Sequence, residues 1–155
     1  SLLVCQRGPK YLLRGVLDQK YIKNMEFPYS KPQQIVDRRG KHIILIFKTG
    51  KCRIMGCKKP IRVQDLQYNI KNIQIQSITV TANVGQKIHL LKLENKSKCQ
   101  CMYEPELFPA LRFLKYNPLC VNIFSSGKVV ILGLPSLQYH QKVEAITNDI
   151  KTYVL

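Results

Sequence analysis

Two stretches of this chain carry the same turn in the same setting, and that repetition limits the possible folds more than any other feature. Ile44-Leu45-Ile46-Phe47-Lys48-Thr49-Gly50-Lys51-Cys52-Arg53-Ile54-Met55-Gly56 is echoed by Val121-Asn122-Ile123-Phe124-Ser125-Ser126-Gly127-Lys128-Val129-Val130-Ile131-Leu132-Gly133. Each reads as a hairpin: an apolar strand ends on Phe, Gly-Lys supplies a turn in which glycine can take φ > 0, and a second apolar strand leads away. The two Phe residues are 77 positions apart. A single wide spacing of that kind predicts two copies of one unit, residues 1–72 and 73–155, and not a many-repeat solenoid.

Charge narrows the class of partner. The chain of 155 residues is 45% hydrophobic, enough for an ordinary core, and has a formal net charge of +16. Such an excess points to nucleic acid or an anionic surface, the alternative being a solvated basic face. Residues 1–72 hold sixteen Lys and Arg against four Asp and Glu, and residues 73–155 hold nine against five. The first half is therefore expected to supply most of the attraction for phosphate. No apolar run is long enough to cross a bilayer and no signal-peptide pattern opens the sequence, so a soluble intracellular protein is expected. Ser1 in place of Met allows for a longer chain upstream.

The six cysteines have no Cys-x-x-Cys pair among them, and the three histidines are scattered. No metal set and no cofactor are expected. Cys52 and Cys120 fall in apolar runs, where a thiol behaves as a small hydrophobe. An enzyme is not expected either, since no paired carboxylates and no nucleophile with a base stand out.

Periodicity gives each half the order strand, helix, three strands, helix. In the second half, residues 73–81 alternate strictly, with Ile73, Ile75, Ser77, Thr79 and Thr81 on one face. Residues 86–93 then predict a helix with Ile88, Leu91 and Leu90 inward, and residues 94–101 a loop. Strands follow over 110–115, 119–125 and 128–132. A closing amphipathic helix starts near Ser136 and turns Tyr139, Val143, Ile146, Ile150 and Tyr153 inward. In the first half, the pattern predicts a strand remnant over 2–5, a helix over 11–17, strands over 33–38, 41–48 and 51–56, and a helix from Pro60 to about Lys71. The class is α+β: a mostly antiparallel sheet with helices on one face and the other face bare.

Tyr103-Glu104-Pro105-Glu106-Leu107-Phe108-Pro109-Ala110-Leu111 and the second hairpin, Ile123 to Gly133, closely resemble the second repeat of the TATA-binding protein core. Ile75-Gln76-Ser77 resembles the start of that repeat; in the first half only the Ile46-Phe47 to Gly50-Lys51 hairpin is clear. The resemblance implies two pseudo-symmetric repeats forming a saddle, its concave antiparallel sheet on the minor groove of A·T-rich double-stranded DNA and its helices on the convex side. It implies a general transcription initiation factor that binds and bends promoter DNA, recruits a B-type initiation factor and the RNA polymerase machinery, and works in the nucleus or at a site of viral transcription, with no membrane partner.

By the same resemblance Phe108 and Phe124 form one wedge pair and Phe47 is one member of the other. The remaining wedge is Phe27 or Tyr29, since the family spacing lands on Ser30 or Lys31. Pro109, Thr79, Lys51 and Lys128 join the DNA-facing set. Ser77 stands where the family has Asn, and Met55 and Leu132 stand where it has Thr. The first Asn position falls before or at the start of the chain. Losing those polar groups implies weaker or altered sequence preference. Glu104, Glu106 and Leu107 match the family's contact with the B-type factor, the alternative being a solvated acidic loop. The other reading for Phe47 and Phe124 is core residues at strand ends. The other reading for the whole is a protein-interaction scaffold with weakened or lost DNA binding.

Overall fold

Alternating burial shapes most of this chain, and the computed structural model, which describes residues 9–36, 42–58, 69–135 and 138–154, contains nine strands among them. The chain divides into two units between Ser77 and Ile78, inside strand β5 (Ile70–Asn83). In the first unit β1 (Lys10–Leu17), the short helix α1 (Gln19–Ile22), β2 (Gln33–Val36), β3 (Ile43–Ile46) and β4 (Lys51–Cys57) precede β5. The second unit continues with helix α2 (Leu90–Ser97), β6 (Cys101–Met102), β7 (Leu111–Phe113), β8 (Cys120–Ile123), β9 (Lys128–Leu134) and helix α3 (His140–Val154). Strand order is β2-β3-β4-β1-β5 in the first and β5-β9-β8-β7-β6 in the second.

The units repeat each other down to individual ladder pairs. Tyr11↔Cys57, Leu13↔Ile54 and Arg14↔Arg53 on β1 and β4 recur as Ile78↔Leu134, Val80↔Ile131 and Thr81↔Val130 on β5 and β9, with the same irregularity after the first pair. Ile43↔Met55 recurs as Cys120↔Leu132. The turns match as well. Phe47 N–H donates to the Lys51 carbonyl and Gly50 N–H to the Phe47 carbonyl, both at 2.9 Å; Phe124 and Gly127 do the same at 2.9 and 3.0 Å.

Gly127 has two reasons to be glycine. Its φ is +94°, and a Cβ there would lie 2.3 Å from the backbone oxygen of Gln86. Gly127→Ala should therefore cost on the order of 2–3 kcal/mol, from left-handed strain plus a displaced carbonyl. Thermal denaturation should show this as a fall of roughly 5–10 °C. A variant melting with the wild type would mean that the turn yields freely.

One face of each unit holds its core. In the second, Ile78, Val80, Ala82, Leu111, Phe113, Val121, Ile123, Val129 and Ile131 are buried together with Leu90 and Leu93 of α2 and Ile146 and Ile150 of α3. The Phe113 ring meets Tyr153 of α3 edge-on at 5.6 Å between centroids. Lys115 donates to Asp149 Oδ2 at 2.9 Å, and the Tyr116 hydroxyl donates to the same oxygen, tying the turn after β7 to α3. In the first unit Leu13, Leu17, Ile44, Ile46, Cys52, Ile54, Cys57 and Ile70 are buried. Burial pushes the Cys57 thiol up to about 11 and raises that of Cys52, so both stay protonated and act as apolar filling.

Several sequence expectations are corrected. Residues 11–17 form a strand, not a helix: Tyr11, Leu13, Gly15 and Leu17 are buried and the residues between them are not. Gly15 disguises this row, since a Cβ there would lie 2.4 Å from Ile70 Cγ2 and only a bare backbone fits. The expected helix from Pro60 falls mostly outside the described residues, but its last two positions, Ile70 and Lys71, belong to β5.

Helix α2 starts later than expected and continues to Ser97, into the stretch read as a loop, because the His89 ring caps it, accepting from Lys92 N–H at 3.4 Å. Leu91 consequently faces out, 57% exposed. Cys120 is exposed as well, on the face opposite Val121. The strand remnant at 2–5 and the Ser136 cap lie outside the described residues.

Candidate nucleic-acid interface

The face that the core leaves free is set by the same alternation. In the second unit Thr79, Thr81, Asn122, Phe124, Val130 and Leu132 are half-buried, and Cys120 and Arg112 are exposed, all on the side away from α2 and α3. Ser77, two residues before Thr79 on β5 and the last residue of the first unit, is also half-buried. This surface is mostly small or apolar, with little hydrogen-bonding capacity. It suits contact with sugars and base edges better than contact with phosphate.

Phe108 and Phe124 meet at its margin. Their centroids are 6.3 Å apart at 67°, an edge-to-face pair, and both rings are half-buried. Each ring also carries a cation: Arg112 Cζ lies 5.3 Å from the Phe108 centroid and Lys128 Nζ lies 5.3 Å from that of Phe124. A ring pair backed by two cations can present an apolar edge while offering charge to the phosphates on either side. Lys128 is among the residues expected here; Arg112 is not, because it falls just past the end of the Tyr103–Leu111 block.

Phe108 is held by a turn in the acidic loop. The Glu104 carbonyl accepts from both Leu107 N–H and Phe108 N–H at 3.0 Å. That turn pushes Leu107 out to 81% exposure, with Glu104, Glu106, Pro105 and Pro109 also exposed. A bare leucine directly after two exposed carboxylates has the chemistry of a protein contact.

The first unit differs at the matching place. Phe47 is half-buried and carries Arg53, whose Cζ is 5.6 Å from the ring centroid. Ladder register locates its missing partner: Gln33↔Ile46 matches Leu111↔Ile123, so the residue three before Gln33, Ser30, holds the place of Phe108. No ring contact joins Phe47 to Phe27 or Tyr29 among the described residues; Tyr29 stands 94% exposed with φ 55° and Phe27 is half-buried.

Beside Phe47 is a hollow of about 670 Å³, lined in part by Ser30, Arg14, Lys51, Arg53 and Gln74. Met55 is half-buried and Lys51 exposed on this unit's free face, with Leu12, Ile43 and Leu45. Lys10 takes the position that Ser77 has in β5, one residue before the matching Tyr11 and Ile78, so the first Asn position is inside the chain. Arg14 and Arg53 were not expected either, since charge counting along a sequence does not reveal which cations share a face.

Comparison with known proteins agrees with this architecture. The family model described as transcription factor TFIID (or TATA-binding protein, TBP) matches residues 72–153. A TATA-box-binding protein of Archaeoglobus fulgidus is 30% identical over 161 residues, covering 84% of this chain and 82% of its own. One of Sulfolobus acidocaldarius is 39% identical over 108 residues, covering 57% of this chain and 52% of its own. TATA-box-binding protein 2 of Entamoeba histolytica is 31% identical over 144 residues, with 83% and 67% covered. Among solved structures, Methanococcus jannaschii TBP superposes with a TM-score of 0.71 at 24% identity, over 94% of this chain and 99% of that one. The α+β fold is therefore shared with that structure.

Proposed function

Since the chain belongs to the TATA-binding protein family, we propose that it is a transcription initiation factor that binds promoter DNA through the minor groove, bends it, and recruits a B-type initiation factor and the polymerase machinery. The observation that carries this reading is the Phe108–Phe124 pair, an edge-to-face couple on a free sheet face with Arg112 and Lys128 on its rings. Aromatic wedges entering a base step cost a few kcal/mol of stacking, which is recovered when the bent duplex meets more protein surface. Thr79, Thr81, Val130 and Leu132 would meet the sugars and base edges, Pro109 would stand beside the wedge, and Lys51 and Lys128 would meet phosphates. The action belongs where transcription takes place, in the nucleus or at a site of viral transcription. No helix among the described residues is long and apolar enough to cross a membrane.

Sequence reading is expected to be weak. The minor groove shows A·T and T·A alike, so discrimination there rests on a few polar contacts and on deformability. Ser77 is shorter than Asn, Met55 and Leu132 supply no hydroxyl, and Lys10 replaces the other amide.

Electrophoretic shifts on three duplexes test the proposal: a TATA-like site, a scrambled A·T-rich site and a G·C-rich site. The expected order is A·T-rich above G·C-rich with little difference between the first two. Five to eight neutralised phosphates should give a log–log salt slope of roughly −5 to −7. Absence of a shift on every duplex at low salt would reject the reading in favour of a fold kept as a protein-interaction scaffold.

A further inference from the structure

Arg14 and Arg53 face each other directly across β1 and β4. Like charges in that relation repel, and the matching pair in the second unit is Thr81 and Val130. Both arginines are exposed and both line the hollow beside Phe47, where Lys48 and Lys51 add two further cations. No carboxylate is among the described residues lining it.

Each guanidinium is nevertheless held in place. Arg14 Nη2 donates to Gln74 Oε1 at 2.8 Å, leaving its other N–H groups free of that bond, and Arg53 rests on the Phe47 ring. Oriented guanidinium groups with no carboxylate among the described residues around them suit an anion that can accept two forks at once. A phosphate does so, because its oxygens match the spacing of the guanidinium donors. The absence of a second aromatic at Ser30 leaves the room that a phosphate and its flanking sugars need.

We propose that the hollow of the first unit is a phosphate-binding seat in which Arg14 and Arg53 jointly hold one phosphate group. That the phosphate belongs to the DNA backbone rests on the function proposed above; the seat itself does not. With this seat the first unit presents charge where the second unit presents Thr81 and Val130.

The test compares the full chain with Arg14→Thr/Arg53→Val, which installs the second unit's own residues. Three measurements are made: melting temperature without ligand, melting temperature with inorganic phosphate against chloride at equal ionic strength, and the salt slope on the A·T-rich duplex. The variant should melt at or above the wild type, because a repulsive pair has been removed, which separates loss of binding from loss of folding. It should lose the stabilisation by phosphate, and its salt slope should be shallower by about one.

Loss of the phosphate effect with an unchanged slope supports a seat for free phosphate; a shallower slope alone supports a seat for the DNA backbone. If the wild type binds no duplex, the DNA reading fails and the phosphate effect alone judges the seat. A variant that matches the wild type in both responses overturns it.

Discussion

Phe108→Ala combined with Phe124→Ala should abolish DNA bending while leaving the protein folded. The two rings are half-buried and touch each other, so their removal should cost about 1 kcal/mol for the lost aromatic pair plus a modest loss of burial, and not the 3–5 kcal/mol of a Phe truncated inside a core. Bending depends on them far more heavily, because without a wedge no base step is opened and the protein surface that a bent duplex would reach stays out of range. Fluorescence transfer between dyes at the two ends of a short duplex should show the end-to-end distance of the bent complex returning to that of free DNA. Binding at low salt should survive in weakened form, carried by cations that the substitutions leave intact. A double variant that melts many degrees lower yet still bends DNA would assign both rings to the core.

Reversing Glu104 and Glu106 to Lys should remove the B-type factor from the complex without weakening the hold on DNA. Both carboxylates are exposed on the loop that positions Phe108, and Leu107, next after Glu106, is 81% exposed. Beside a duplex, two negative charges reduce affinity; a basic surface on a partner protein would compensate them. Binary affinity for DNA should then be equal or higher in the variant, while ternary assembly, read as a supershift, is lost. Undiminished ternary assembly at physiological salt would reduce the loop to a solvated turn.

The hairpins around Phe47 and Phe124 were legible in the sequence because glycine is demanded at one place and the flanking alternation is uninterrupted. Strand β1 was not, for a reason tied to the free face. A strand with one solvated side shows polar residues there, but β1 puts Leu12 and Val16 on that side and Gly15 in the buried row, so its apolar residues mimic a helical stripe. The α2 boundary escaped because histidine is a rare cap. The Phe108–Phe124 pair could be expected from motif resemblance, whereas Ser30 as the counterpart of Phe108 needed the ladder register. The Arg14–Arg53 pairing needed it too, since 39 positions separate them in the chain.

Strand β2 ends the strand order of the first unit and is only four residues long, with no strand beyond it among the described residues. Its outward backbone groups are a template that a second copy could extend into intermolecular sheet. The sequence around it resists such growth, with Lys31-Pro32 before it and Asp37-Arg38-Arg39 after it. Those basic gatekeepers act through charge repulsion, which falls off over a Debye length of about 10 Å at 0.1 M salt and about 3 Å at 1 M. High salt used to strip nucleic acid from the protein would thus also weaken its defence against aggregation. Dilute handling after such a wash follows directly from where that edge lies.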